Sequence, residues 1–234
     1  MSTNNSLQQG LASSEDRLVQ PVSRRKFLLF AGASAGVMAI AASCKKDDDN
    51  NMNGGVDLGK DDIGILNYAY ALEQLEAAFY TQVIMTQYSG ITASETALLT
   101  DIRDHEVAHR EFFKSALGGS AITNLEVDFS SINFSSRDSV LATAKTFEDL
   151  GVSAYNGAGK LIKDANYLVL AGKIVSVEAR HAAYIRDLIS NGSFADSTVI
   201  DANGLDKSRM PMGVLSAASA FIKTKINASN LPTS

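Results

Sequence analysis

The chain has 234 residues, 45% of them hydrophobic and 20% charged, with a formal net charge of -5, enough for one domain of ordinary size plus appendages. Mild acidity, the lack of a basic cluster in the body of the chain and the lack of a Gly-rich phosphate loop argue against a nucleic-acid partner. With no Trp, three Pro and apolar positions that recur at spacings of three and four, the composition is that of an all-α protein.

The first fifty residues differ from the rest. Ser23-Arg24-Arg25-Lys26-Phe27-Leu28-Leu29 leads into an uncharged stretch, Phe27 to Ser43, that is too short and too weakly apolar for a permanent membrane span. A basic start, an apolar middle and a small-residue end make a secretory signal. SRRKFLL resembles a twin-arginine export signal, which implies passage through that machinery in a folded state, often with a cofactor already inserted. Cys44, the only cysteine, follows Ala41-Ala42-Ser43, and IAASC resembles a lipoprotein processing site. That resemblance implies lipidation at Cys44 and a membrane-anchored protein facing the periplasm or the cell surface. Residues 1–44 are read as this signal. Residues 45–60, opening with Lys45-Lys46-Asp47-Asp48-Asp49, are read as a disordered polar tether whose Lys-then-acid pattern resembles a surface-export signal of some Gram-negative lipoproteins.

A first helix is predicted from about Asp61 to Tyr88, with Asp61 or Asp62 able to cap it and Ser89-Gly90 to end it. A second opens on Thr92-Ala93-Ser94-Glu95, which fits a capping box, and stops at Gly118-Gly119. The connection from Ser120 to Ser135 is long for a bundle and reads as a crossover. A third helix runs from near Ser136 to about Ile162, and a fourth from about Asn166 to Ser190. The remainder, 192–234, is a loop-rich extension in which Pro211 starts one short helix reaching to Lys225. The body, 61–191, is thus expected to be a four-helix bundle of two hairpins.

The second helix contains DHEVAHREFF. Its Glu106 and His109 are nearly one turn apart, on the stripe through Leu98, Ile102, Phe113 and Ala116. Polar groups aimed where apolar side chains point need partners, because an unpaired buried charge is costly. The fourth helix repeats the arrangement with Glu178 and His181, on the stripe through Leu168, Ala171, Ile174, Ile185 and Leu188. Only three histidines exist in the chain. The third, His105, lies about 100° round the helix from Glu106 and is left outside the constellation. On the first helix the buried stripe passes through Leu66, Ala69, Glu73, Glu76, Tyr80 and Val83, and on the third through Leu141, Ala144, Glu148, Gly151, Tyr155 and Ala158. Glu73 and Glu148 each precede a tyrosine by seven residues, so the chain carries an approximate repeat. Where four carboxylates and two imidazoles converge in one bundle, the buried carboxylates repel one another and cannot all ionise without cations, and two divalent ions neutralise four negative charges. Oxygen donors with a few imidazoles suit iron or manganese better than structural zinc. The metal-free alternative is a hydrogen-bonded polar core.

A Glu from each of two helices and a Glu-x-x-His from each of the other two is the donor set known from di-iron and di-manganese carboxylate bundles. LEQLEAAFY, DHEVAHREFF, FEDLGVSAYNGAG and VEARHAAYIR resemble the ferritin-like superfamily, over about Asp61 to Asn191. Within it the likeness is to exported ferritin-like domain proteins similar to desiccation-related proteins. The resemblance implies a ferritin-like antiparallel four-helix bundle holding two Fe or Mn ions. Glu106 and Glu178 would be bridging carboxylates, His109 and His181 terminal ligands, and Glu73 and Glu148 the remaining terminal carboxylates. Glu76, one turn from Glu73 on the same face, is a rival that the shared tyrosine offset disfavours. Tyr80 and Tyr155 are expected behind the ligands. Two functions fit: an oxidoreductase acting on dioxygen or peroxide (ferroxidase, peroxidase or catalase-like), or a non-catalytic stress-protection or metal-binding surface lipoprotein.

Overall fold

The computed structural model describes residues 54–233. The proposed signal, Cys44 and residues 45–53 of the proposed tether lie outside the described residues. Four long helices carry the fold: α1 (Asp61–Met85), α2 (Ala93–Leu117), α3 (Arg137–Gly159) and α4 (Ala165–Ile189). α1 and α2 form one hairpin, α3 and α4 the other, and α1 packs on α3 across the bundle. A short helix, α5 (Pro211–Ala218), follows with proline in its first turn. This is the expected two-hairpin bundle with a C-terminal helix.

Local chemistry accounts for most boundaries. Thr92 and Glu95 form the predicted capping box at α2, each satisfying a backbone N–H of the other. Ser136 and Asp164 cap α3 and α4 by accepting from backbone N–H groups at the helix starts. At α1 the expectation fails: Lys60 is the capping residue and its side chain makes no cap. The acids expected there hold the α3–α4 turn instead. Asp62 accepts from the backbone N–H groups of Lys163 and Asp164, both at 2.8 Å, and Lys163 Nζ donates to Asp61. Helix α1 also stops at Met85 rather than Tyr88, and Gly90, at φ +77°, makes the turn into α2.

α1 is buried on nearly all sides, which a bundle helix of ordinary amphipathicity is not. Its outer face is covered by the crossover: Asn67 donates to Leu58 O and Ser120 O and accepts from Ile122 N, while Gln74 accepts from Leu125 N. Phe129 and Phe134 of the crossover pack on Phe79, and Phe221 packs edge-on against Phe147. The crossover is in turn pinned by the C-terminal extension, with Asp128 N donating to Phe221 O and Lys223 N to Glu126 O.

Two features depart from the sequence reading. Residues 54–60, assigned to the tether, belong to the fold: β1 (Val56–Asp57) pairs in parallel with β2 (Ile226–Asn227), and Leu58 is fully buried. The short C-terminal helix correspondingly ends at Ala218, followed by a 3-10 turn over Ser219–Phe221, because the chain then straightens to reach β1. Strands of two residues carry no alternation from which to predict them. Among the described residues no helix is long and apolar enough to cross a membrane.

Candidate metal centre

The core of the bundle contains four glutamates with no exposed surface, one from each long helix: Glu73, Glu106, Glu148 and Glu178. The 3.6-residue repeat that buries Ile102 and Phe113 also buries Glu106, and the repeat that buries Ile174 and Ile185 buries Glu178. His109 and His181 follow each of these by one turn and turn their Nδ1 atoms to the same interior. His109 Nδ1 lies 2.9 Å from Glu178 Oε1, 3.5 Å from Glu73 Oε2 and 3.7 Å from Glu106 Oε2. His181 Nδ1 lies 2.8 Å from Glu106 Oε1, 3.5 Å from Glu148 Oε2 and 3.9 Å from Glu178 Oε2.

Two groups of four result, Glu73-Glu106-His109-Glu178 and Glu106-Glu148-Glu178-His181, each with donor atoms within 4.8 Å of one another. They share Glu106 and Glu178. The facing atoms, both oxygens of Glu106 and Glu178, Glu73 Oε2, Glu148 Oε2 and both Nδ1 atoms, are buried and make no hydrogen bond despite their proximity. Buried polar atoms are normally paired. Orphans gathered at one point and of metal-ligand chemistry are what a cation site requires, so the residues fit the implied metal. The chain belongs to the ferritin-like domain family. Its family profile matches residues 61–191, more than half of the chain, and no curated protein matches.

The outward sides of the ferritin-like site are satisfied. Tyr80 on α1 donates to Glu148 Oε1 of α3 at 2.5 Å, and Tyr155 on α3 donates to Glu73 Oε1 of α1. The repeat is therefore crossed: each tyrosine holds the glutamate of the other hairpin. Glu76 is buried yet belongs to neither group of four. In the repeat it corresponds to Gly151, and a Cβ there would come within 3.2 Å of Glu76 Oε1 and 3.6 Å of Glu178 Oε2. The glycine thus makes room for one extra carboxylate beside a shared one.

His105 stays outside the ligand set, as the sequence reading has it, but it touches one of the ligands. Its Nδ1 lies 2.9 Å from Nε2 of His181, with the rings nearly parallel. Its partner is on another helix, so its offset from the stripe of α2 gave no signal. The repeat places Val177 where a counterpart of His105 would be, so the two imidazoles of the site have different surroundings.

Burial pushes the Glu73 carboxyl up to about 7 against the pull of His109 and Tyr155. It drives Glu76 and Glu178 well above the usual carboxylate range, with the neighbouring carboxylates adding to the effect, and raises Glu148 as well. Glu106 goes the other way: burial opposes ionisation, but His109 and His181 together bring it to about 2. Burial would lower both imidazoles, yet the carboxylates facing them raise His181 to about 11 and move His109 upward too. Without cations, protons take over the task of neutralising the carboxylates.

Two positions on the sequence-derived stripes are exposed, Ala116 and Leu168. Both lie on α2 and α4, which make little direct contact with each other.

Proposed function

We propose that the two groups of four would hold two iron or manganese ions, with Glu106 and Glu178 serving both positions, His109 and Glu73 completing one and His181 and Glu148 the other. The observation that carries this reading is the sharing of Glu106 and Glu178 between the two groups. Bound ions would supply Lewis acidity and one-electron steps toward dioxygen or hydrogen peroxide, which makes the protein an oxidoreductase of ferroxidase, peroxidase or catalase-like type. The chain's own residues prepare the site. Tyr80 and Tyr155 keep their phenolic protons and donate them to Glu148 and Glu73, which fixes one oxygen of each and leaves the other aimed inward. His105 accepts the proton on Nε2 of His181, which fixes the tautomer whose Nδ1 is free to ligate. Full burial of the four glutamates excludes bulk water, so charges inside act at a low effective dielectric.

Export fits the same reading, with the twin-arginine route and anchoring at Cys44 placing a metal-loaded protein outside the cytoplasm. The test is elemental analysis of protein exposed to Fe(II) or Mn(II), run beside ferrous-oxidation and peroxide-consumption assays. Stoichiometric metal that is lost in Glu106→Ala and Glu178→Ala supports the site, and turnover supports the redox function. No stoichiometric metal overturns the site. Metal without turnover overturns the enzyme and leaves a metal-binding surface protein.

A further inference from the structure

We infer that metal enters and leaves the centre at one of its two positions, that of His109 and Glu73, with His109 as the ligand that yields and His105 as the residue that closes the other position. The inference rests on the dinuclear centre proposed above. Of the six ligands, the four glutamates have no exposed surface, and Tyr80 and Tyr155 each hold one oxygen of Glu148 and Glu73. Solvent therefore reaches the ligand set only at the imidazoles. Their ring centres lie 6.5 Å apart across the seam where α2 and α4 make little direct contact.

The two imidazoles are not equally free to move. His181 is 5% exposed, its outer nitrogen, Nε2, is bonded to His105, and its ring is stacked on the His105 ring. To let go of an ion it would have to break that bond and that stack together. His109 is 13% exposed although its Nδ1 is buried, so the surface that meets solvent belongs to the rest of the side chain. Its polar contacts among the described residues all run through Nδ1. The repeat puts Val177 where a mirror image of His105 would stand, and a valine side chain can neither donate nor accept a hydrogen bond. Ala108, next to His109 in the chain, is exposed and has no side chain beyond Cβ to cover it. An open route speeds binding and release alike, so the two positions differ in exchange rate even where their affinities are similar.

The test uses the full chain loaded with Mn(II) and mixed rapidly with an excess of the chromogenic chelator pyridylazoresorcinol, whose absorbance reports the released ion. Two ions per chain should leave in two phases of equal amplitude, about tenfold or more apart in rate. His105→Val should speed the slow phase by about 10–100-fold and leave the fast one unchanged. Val177→His, which supplies the missing counterpart, should slow the fast phase and spare the slow one. His105→Val, at an exposed position, decides the matter alone if Val177→His fails to fold. Two bound ions that leave together in one phase, or a slow phase indifferent to His105→Val, overturn the inference and leave the centre standing. A chain that binds no stoichiometric metal overturns the centre itself, and the inference with it.

Discussion

Raising the pH should destabilise the metal-free protein and leave the metal-loaded protein nearly unaffected. Glu73 shows the size of the effect. Its folded-state value of about 7 lies above the ordinary 4.5, so between these limits the folded chain holds a proton that the unfolded chain has released. Its contribution to stability is therefore fully present below pH 4.5 and is lost as the pH rises through about 7, a change worth about 3 kcal/mol. Glu148 and Glu178, also raised, act with the same sign. So does His181, whose contribution is present below pH 6.5 and lost as the pH climbs toward about 11. Glu106 acts oppositely, but only between about 2 and 4.5. Urea unfolding of chelator-treated protein at about pH 5 and about pH 7.5 should show the midpoint falling by a large part of the total, since a few kcal/mol is a substantial share of a domain's stability. Metal ions bound as proposed would replace these protons, so the loaded protein should show a much flatter profile, and loading should release protons measurable in weak buffer. Glu73→Gln should remove its share of the slope. A metal-free midpoint that is flat or rises over this interval would refute the reasoning.

His105→Ala should leave the fold intact and weaken metal binding by about 10–100-fold at one of the two positions, seen as two separated steps in a metal titration where the parent binds more tightly. Tyr155→Phe leaves Glu73 Oε1 without its donor and should cost about 1–3 kcal/mol in metal-free denaturation. Gly157→Ala would put a Cβ 1.8 Å from Arg209 O, where Arg209 N already donates to Ser153 O of α3. The strap formed by the C-terminal extension must shift, at a cost of about 1–3 kcal/mol and with faster proteolysis near Arg209.

Much of the bundle was legible because its signals are local and periodic. Thr92 with Glu95 announces a helix start by chemistry confined to four residues, and Glu106 with His109 announces a shared face by spacing alone. The six site residues could be grouped because one pattern occurs twice in the chain. What stayed hidden depends on contacts between distant segments. His105 acquires its role from a ring on another helix, 76 residues away. Asp61 and Asp62 look like caps for α1 but find stronger demand in the α3–α4 turn, where two backbone donors lack acceptors. Val56 and Ile226 pair across most of the chain with no pattern in either strand.

The crossed tyrosines also bear on how the protein assembles. Each hairpin by itself owns two glutamates and one Glu-x-x-His, but the hydroxyl that orients each of Glu73 and Glu148 comes from the opposite hairpin, and each group of four takes residues from both. A half-molecule has no complete coordination set. Under the metal-binding function proposed above, capture would therefore work as a proofreading step, since only a chain whose two halves have docked in register would bring a complete set of donors together.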